Sequence, residues 1–378
     1  MRPARLLLLM LVAVVLVTGG CLDFGTSTGP RDVDGGDGDD GDELGDGGDT
    51  DDSDDTDDGD DHSNDGETER NAGTLEIHHI DVGQADATLL IEPSGETMLV
   101  DSGDWRDDGE SVIAYLEEQG IDRVDHLVAT HAHADHIGGH AAVIEHVETN
   151  GDGVGAVYDS GVVSTSQTYE RYLDAVEEHD VKLLAVREGD AVDFGEAKIE
   201  FYNPPAEGPD DEDGLNDNSI VLTVTYGDVS YLTTGDAERA VESRLVERHG
   251  NDLEAEIYQA GHHGSSTSSS SALLDVVDPD VTVVSAPLES QYGHPHDEVL
   301  AAFGERGVET YWTGVHGHVV VTTDGESVAV QAERSGPTNG YVLLEEFSSE
   351  EEATEETRET ERLPRRVTGF PTEAISLP

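Results

Sequence analysis

Short apolar runs dominate the chain from Leu75 onward, and turn-forming residues separate them. LEIHHIDV, ATLLIEP and TMLVDSG read as three consecutive strands, because each run is brief and is bounded by Gly, Pro, Ser or Asp. A helix is expected around Ser111–Glu118, followed by a buried strand, VDHLVAT. Helical periodicity returns at Ala141–Val147, Tyr169–Glu178 and Glu238–Arg248. SIVLTVTY and VSYLTTGD alternate before the last of these helices, and AEIYQAG, VTVVSAP, ETYWTG and HVVVTTD follow it as further strands. Two sets of strands interleaved with helices predict one large layered α/β domain over residues 73–334.

The flanks carry different patterns. Arg2 and Arg5 precede an apolar run from Leu6 to Val17, which is short for a membrane span but suits the core of a signal peptide. The run ends in VTGGC, which resembles a lipoprotein signal with its lipobox, although Thr18 stands where Leu is commonest and no twin arginine precedes it. That resemblance implies that residues 1–21 are a signal and that Cys21 is lipidated and becomes the mature N-terminus. Simple secretion and an uncleaved short anchor are the alternatives. Residues 22–72 are rich in Gly, Asp, Ser and Thr and have almost nothing to bury, so they are expected to form a solvated tether. Calcium-binding repeats are the sharper alternative there, but the Asp/Gly spacing is irregular. Residues 335–378 turn Glu-, Thr- and Arg-rich and are expected to be a disordered or weakly docked tail.

Charge adds a constraint on partners and habitat. The chain carries 19 Lys plus Arg against 85 Asp plus Glu, a net charge of −66, which rules out ordinary electrostatic capture of nucleic acid or anionic membrane. The spacer does not account for all of this, since residues 71–334 hold 54 acidic and 11 basic residues, a balance of −43. Only Lys182 and Lys198 are lysines. An acidic, lysine-poor folded surface suits molar salt, where the Debye length falls to about 3 Å and self-repulsion nearly vanishes. A halophile protein is therefore expected; an acidic mesophile protein with a disordered arm would explain the spacer but not the body. Cys21 is the sole cysteine, so no disulfide can form within the chain.

The candidate chemistry lies where the strand VDHLVAT runs into HAHADHIGGH. A strand end of this kind delivers residues into the crevice at the sheet's carboxyl edge. His131 and His133, two apart in an extended loop, point the same way and can share one divalent ion; Asp135 and His136 can reach a second. Nitrogen-rich ligation suits Zn²⁺ and admits Mn²⁺. His140 follows on the next helix as a buttress, and His78 and His79 read as structural or exposed.

HxHxDH after an apolar strand, with LVDSG upstream and TTGD downstream, resembles the pattern of the metallo-β-lactamase superfamily. More narrowly, HHIDVGQADATLLIEPSGETMLVDSG, NDNSIVLTVTYGDVSYLTTGDAE, GHHGSSTSSS and YGHPH resemble the hydrolase domain of ComEC-type competence proteins, over roughly residues 75–330. The resemblance implies an α/β fold, specifically an αββα sandwich with a dinuclear metal site at one edge. It implies that Asp101 braces the site, that His131 and His133 bind the first ion, that Asp135 and His136 bind the second, and that Asp236 bridges them. His263 is implied as the last ligand with His262 lining the substrate pocket, or the two exchanged. Where the family usually has a His after a strand this chain reads VYDSG, so Asp159 is the expected substitute.

The expected chemistry follows from charge. Two divalent ions about 3.5–4 Å apart would hold a bridging hydroxide as nucleophile and clamp the oxygens of the transition state. Asp135, His262 and His294 are the candidate catalytic residues, the two histidines as donors to a phosphoryl oxygen or leaving group. The Ser-rich run after GHHG could hold a phosphate through its amides and hydroxyls, and Asn218 either caps a strand or lines the pocket. The leading expectation is a membrane-tethered extracellular metal-dependent hydrolase acting on a phosphodiester, DNA or a smaller diester. Hydrolysis of a lactone, thioester or β-lactam on the same fold is the first alternative, and a non-catalytic surface binding protein the second.

Overall fold

The computed structural model describes residues 73–209 and 214–347. The expected signal with Cys21, the spacer and the tail beyond residue 347 lie outside the described residues.

The first half opens with strands β1 (Leu75–His79), β2 (Thr88–Ile91) and β3 (Thr97–Val100), an antiparallel meander. It continues through α1 (Glu110–Glu118), β4 (Arg123–Ala129), α2 (His140–Asn150), β5 (Gly153–Asp159), α3 (Gln167–Glu178) and β6 (Leu183–Ala185). The second half repeats this plan. Strands β7 (Ala191–Phe194), β8 (Ala197–Asn203), β9 (Val221–Tyr226) and β10 (Val229–Thr233) form the meander. They lead into α4 (Arg239–His249), β11 (Ile257–Gln259), α5 (Ser271–Val277), β12 (Val281–Val284), α6 (Asp297–Arg306) and β13 (Glu309–Trp312). A one-turn helix α7 (Thr313–His316) then precedes β14 (Val319–Thr323), β15 (Val328–Ala332) and α8 (Gly340–Phe347).

Two sheets result, in the orders β15-β14-β1-β2-β3-β4-β5-β6 and β13-β12-β11-β10-β9-β8-β7. In each, pairing is antiparallel along the meander and becomes parallel where helices make the connections, because a parallel neighbour needs a crossover. β14 crosses back to pair with β1 and ties the halves together.

Strand side chains alternate between two buried faces, which is why runs such as TLLI and VTVV are apolar throughout. Leu90, Met98 and Val100 from one sheet join Leu222, Tyr231, Ile257 and Val283 from the other in a central core. Leu89 and Leu99 face the opposite way, against Leu116 of α1, Ile144 of α2 and Tyr172 of α3. Leu232, Tyr258 and Val284 pack outward on Leu245, Leu274 and Phe303 from the second set of helices. The layers are therefore helix, sheet, sheet, helix, the αββα sandwich that the resemblance implied. Ser166 and Ser270 cap α3 and α5 by accepting from the amides of Tyr169 and Leu273.

The first part of the expected tail differs from expectation. Within residues 335–347, α8 packs on α6 with Leu343 fully buried, and Leu344 and Phe347 pack against the same core. GYVLLEEF carries a short apolar stripe ahead of the glutamate run, and burying it outweighs the ordering of one short helix.

Candidate metal centre

Five chain segments meet at the carboxyl edges of the parallel strands. β3 leads to Asp101, β4 to Thr130 and His131, β10 to Asp236 and β11 to His262 and His263, while Asp86 comes from the loop between β1 and β2. The Asp86 loop is stitched in place: its own amide donates to the Asp135 carbonyl at 3.2 Å, and Ser285 Oγ donates to the Ala85 carbonyl at 3.0 Å. Three of the non-glycine residues here adopt left-handed backbone, Asp101 (φ 58°), His262 (φ 52°) and His263 (φ 55°). Such conformations cost about 1–3 kcal/mol each and persist only where surrounding contacts enforce them.

Two sets of donor atoms converge, each within 4.8 Å: Asp86, His136, Asp236 and His263 in one, and His131, His133 and Asp236 in the other. Asp236 belongs to both. Its Oδ1 lies 3.2 Å from His136 Nε2, and its Oδ2 lies 3.7 Å from His131 Nε2 and 3.4 Å from His262 Nε2. His131 Nε2 and His133 Nδ1 are 2.9 Å apart. Asp101 stands behind the donors: it accepts from the Thr130 amide (2.9 Å) and hydroxyl (2.7 Å), and from His136 Nδ1 at 2.8 Å. That last bond leaves His136 Nε2 turned toward Asp236. His263 is fixed in the same manner, with Nδ1 donating to the Ser285 carbonyl at 3.2 Å.

Asp86 Oδ1, His136 Nε2, Asp236 Oδ1 and His263 Nε2 are buried and make no hydrogen bond. Unsatisfied polar atoms are costly in a folded interior, and four of them facing one another fit a cation. The donor chemistry, imidazole nitrogen with carboxylate oxygen and an anchoring bond behind each ring, fits a divalent transition metal.

The electrostatics express this crowding. Burial opposes charge on His136 and His263, yet nearby carboxylates, Asp236 and Asp101 for the one and Asp86 and Asp236 for the other, raise both well above the ordinary histidine value. Burial would raise Asp236, but His136, His263 and His131 hold it well below the carboxylate range. Asp135 is likewise lowered against the effect of burial, by contact with His263 and the charge of His136. His131 and His133 are lowered by burial and by His136. Asp101, fully enclosed, is raised by burial.

The remaining candidates fall into place around this centre. Asp135 is outside both convergent sets, though its Oδ2 lies 3.4 Å from His263 Nε2. Asp159 is outside them as well; its carboxylate accepts from the Gly161 amide at 2.6 Å and the Tyr172 hydroxyl at 3.3 Å, and burial raises it to about 6. His262 and His294 line a cavity of about 300 Å³ together with His133, Asp135, Asp236 and His263. His262 Nδ1 is held by Thr267 Oγ1 (3.1 Å) and His294 Nδ1 by Gln84 Nε2 (3.2 Å). Within the serine run expected to hold a phosphate, three hydroxyls turn inward: Ser268 donates to the Ala237 carbonyl, Ser269 bonds Tyr258 and Ser270 caps α5. Those hydroxyls are committed to the fold. His78 and His79 are buried, and His140 Nδ1 meets Ser102 Oγ at 2.6 Å. Asn218 donates to the Gly214 carbonyl and holds a turn. Asp86 is the residue that sequence reasoning missed; its signal was one acid at the head of the apolar run ATLLI.

The chain is similar in sequence to known proteins. The family model described as the metallo-beta-lactamase superfamily matches residues 80–287, more than half of the chain. ComE operon protein 3 of Bacillus subtilis is 28% identical over 260 residues, which cover 65% of this chain and 32% of the relative. Competence protein ComA of Neisseria gonorrhoeae is 29% identical over 238 residues, covering 63% and 30%. The chain thus spans about a third of the length of these curated relatives, and the resemblance to ComEC-type competence proteins holds over that part. Among solved structures, the metallo-beta-lactamase fold protein YhfI from Bacillus subtilis is 13% identical with a TM-score of 0.42, covering 63% of this chain and 96% of that one. With its αββα layers, its convergent His/Asp donors and a family match over most of both sheets' central strands, the chain belongs to the metallo-beta-lactamase superfamily.

Proposed function

We propose that this chain is a metal-dependent phosphodiesterase, nuclease-like in its chemistry, that takes two divalent ions, Zn²⁺ or Mn²⁺. The observation that carries this reading is Asp236, whose two carboxylate oxygens face separate donor sets beside one cavity. Ions held there would polarise a phosphoryl oxygen and lower the pKa of an attacking water. The protein's own part is positional. Asp101 and the Ser285 carbonyl fix the rings of His136 and His263, and His262 and His294 stand at the cavity wall to donate to phosphoryl or leaving-group oxygen. The names of the relatives, competence proteins, favour nucleic acid or a smaller diester as substrate. The acidic surface does not oppose this at molar salt, where long-range repulsion is screened and bound ions supply local positive charge.

The test is a panel of bis(p-nitrophenyl) phosphate, a phosphomonoester, a lactone, a thioester and a β-lactam, run at high salt with Zn²⁺ or Mn²⁺ after chelation. Diester turnover that returns with metal is the expected result. Turnover confined to the lactone, thioester or β-lactam would replace the phosphodiesterase reading, and no turnover at all would favour a binding protein.

The setting belongs to the same proposal: a lipid anchor at Cys21 on the extracellular face of the membrane, joined to the enzyme by the acidic spacer. No helix among the described residues is long and apolar enough to cross a membrane. Mass spectrometry should find a mature chain beginning at a lipidated Cys21; an unmodified chain beginning elsewhere removes the anchor. Salt adaptation predicts that the thermal midpoint rises from 0.1 M to 3 M KCl, as screening relieves repulsion between crowded carboxylates. A flat or falling midpoint would withdraw both the halophile reading and the screening argument.

A further inference from the structure

We propose that the groove beside the metal centre, walled by Trp105 and Tyr292, is a nucleoside subsite that stacks the base of a phosphodiester whose phosphate lies at the donor clusters. The inference rests on the phosphodiesterase reading and specifies its substrate class. The groove encloses about 450 Å³ and shares Gln84, Asp135 and Tyr292 with the cavity at the metal centre, so one ligand can occupy both. In a chain with 5% aromatic residues, two aromatic side chains face solvent here, Trp105 at 48% and Tyr292 at 58% exposure. The other tryptophan, Trp312, is buried, with Nε1 donating to the Ala286 carbonyl.

Trp105 is seated on the ligand loop itself. Its amide donates to the Ala134 carbonyl at 2.9 Å, one residue from Asp135. Gly138 makes this approach possible, since a Cβ at that position would lie 2.2 Å from the Trp105 nitrogen. The backbone that carries the indole is thereby packed against the loop of His131, His133 and His136. The Arg106 guanidinium lies 4.8 Å from the indole centroid and pairs with Asp104 at 3.1 Å, which orients its plane.

Charge decides which part of the substrate enters. Asp104, Asp107 and Asp135 line the groove against a single arginine, so it repels phosphate and suits an uncharged planar group. The histidine-rich cavity next to it suits the phosphate. An aromatic ring stacked with a guanidinium favours a flat base over a puckered sugar, because flat π-faces make the larger contact.

The test uses the full chain and its tryptophan emission, with Trp105 as the exposed reporter. Thymidine monophosphate and AMP should quench it saturably, whereas ribose 5-phosphate and inorganic phosphate should not. Trp105→Ala should remove the quenching and weaken nucleotide binding about tenfold by equilibrium dialysis, the order expected for one lost base stack. Trp105→Phe should restore most of that affinity. Equal quenching by ribose 5-phosphate, or unchanged nucleotide affinity in Trp105→Ala, overturns the subsite. If bis(p-nitrophenyl) phosphate is hydrolysed but no nucleotide-specific quenching appears, the subsite alone falls. Absence of diester hydrolysis removes the reading beneath it.

Discussion

The two donor sets that share Asp236 are built differently. Asp86, His136, Asp236 and His263 come from four separate segments in both halves of the chain, are all buried, and include two rings anchored from behind. His131 and His133 come from one tripeptide, His133 is partly exposed, and Asp236 is their sole partner in the set. Asp159, expected to join the donors, spends its carboxylate on Tyr172 and Gly161. A four-donor, preorganised set should bind an ion more tightly than a three-donor set open to solvent. The difference teaches that one shared carboxylate can join a closed, preorganised donor set to a more exposed one.

The largest effect is expected from Asp236→Asn, which touches both sets. Diester turnover should fall by about a thousandfold or more, the scale of several kcal/mol of charge stabilisation, and metal analysis should find both ions lost while the circular dichroism stays native. A variant that still binds two ions would break the view of Asp236 as the shared ligand.

Separating the sets comes next. After dialysis against a weak chelator, His133→Ala should retain one ion and Asp86→Asn should lose the ion that His133→Ala keeps. If both variants lose both ions, the sets are one cooperative site and the comparison fails. Asp101→Ala removes no metal donor but releases the His136 ring, so metal affinity should weaken by about 10- to 100-fold; unchanged affinity would mean that packing alone orients His136.

The effect furthest from the shared carboxylate concerns the buried histidines that are not donors. Burial lowers His79 and His140 to about 3, from the ordinary 6.5. The unfolded chain then takes up protons that the folded chain refuses, so stability should fall as pH drops from 6.5 toward 3, by about 1.4 kcal/mol per pH unit for each such group. Urea midpoints of His140→Gln should show a shallower acid limb than the parent; an identical slope would show that His140 is already protonated in the fold.

Much of the architecture was legible because its signals are local. Turn-bounded apolar runs announce strands, and β1 to β4, β9 to β14 and helices α1 to α4 stand where the sequence pattern placed them. β5 to β8, β15 and helices α5 to α7 were not expected; the edge strands among them, such as Leu183–Ala185, are half-exposed and carry no distinctive alternation. α8 was hidden because a tail rich in glutamate masks a stripe of three apolar residues.

HAHADHIGGH by itself determined that a metal centre was to be expected and at which strand end, because closely spaced histidines after an apolar strand have few other uses. Only the tertiary structure decided which donors meet. Asp86 joins His136 across 50 positions of sequence, through a loop held by Asp135 and Ser285, and nothing near it in the chain announces that neighbour. The same holds for His262 and His263, adjacent in sequence but separated in role by a left-handed turn that sends one ring to Thr267 and the other to Ser285. Residue type and spacing fix what a segment can offer. The partners are fixed by packing two sheets face to face, which brings distant strand ends within a few ångströms.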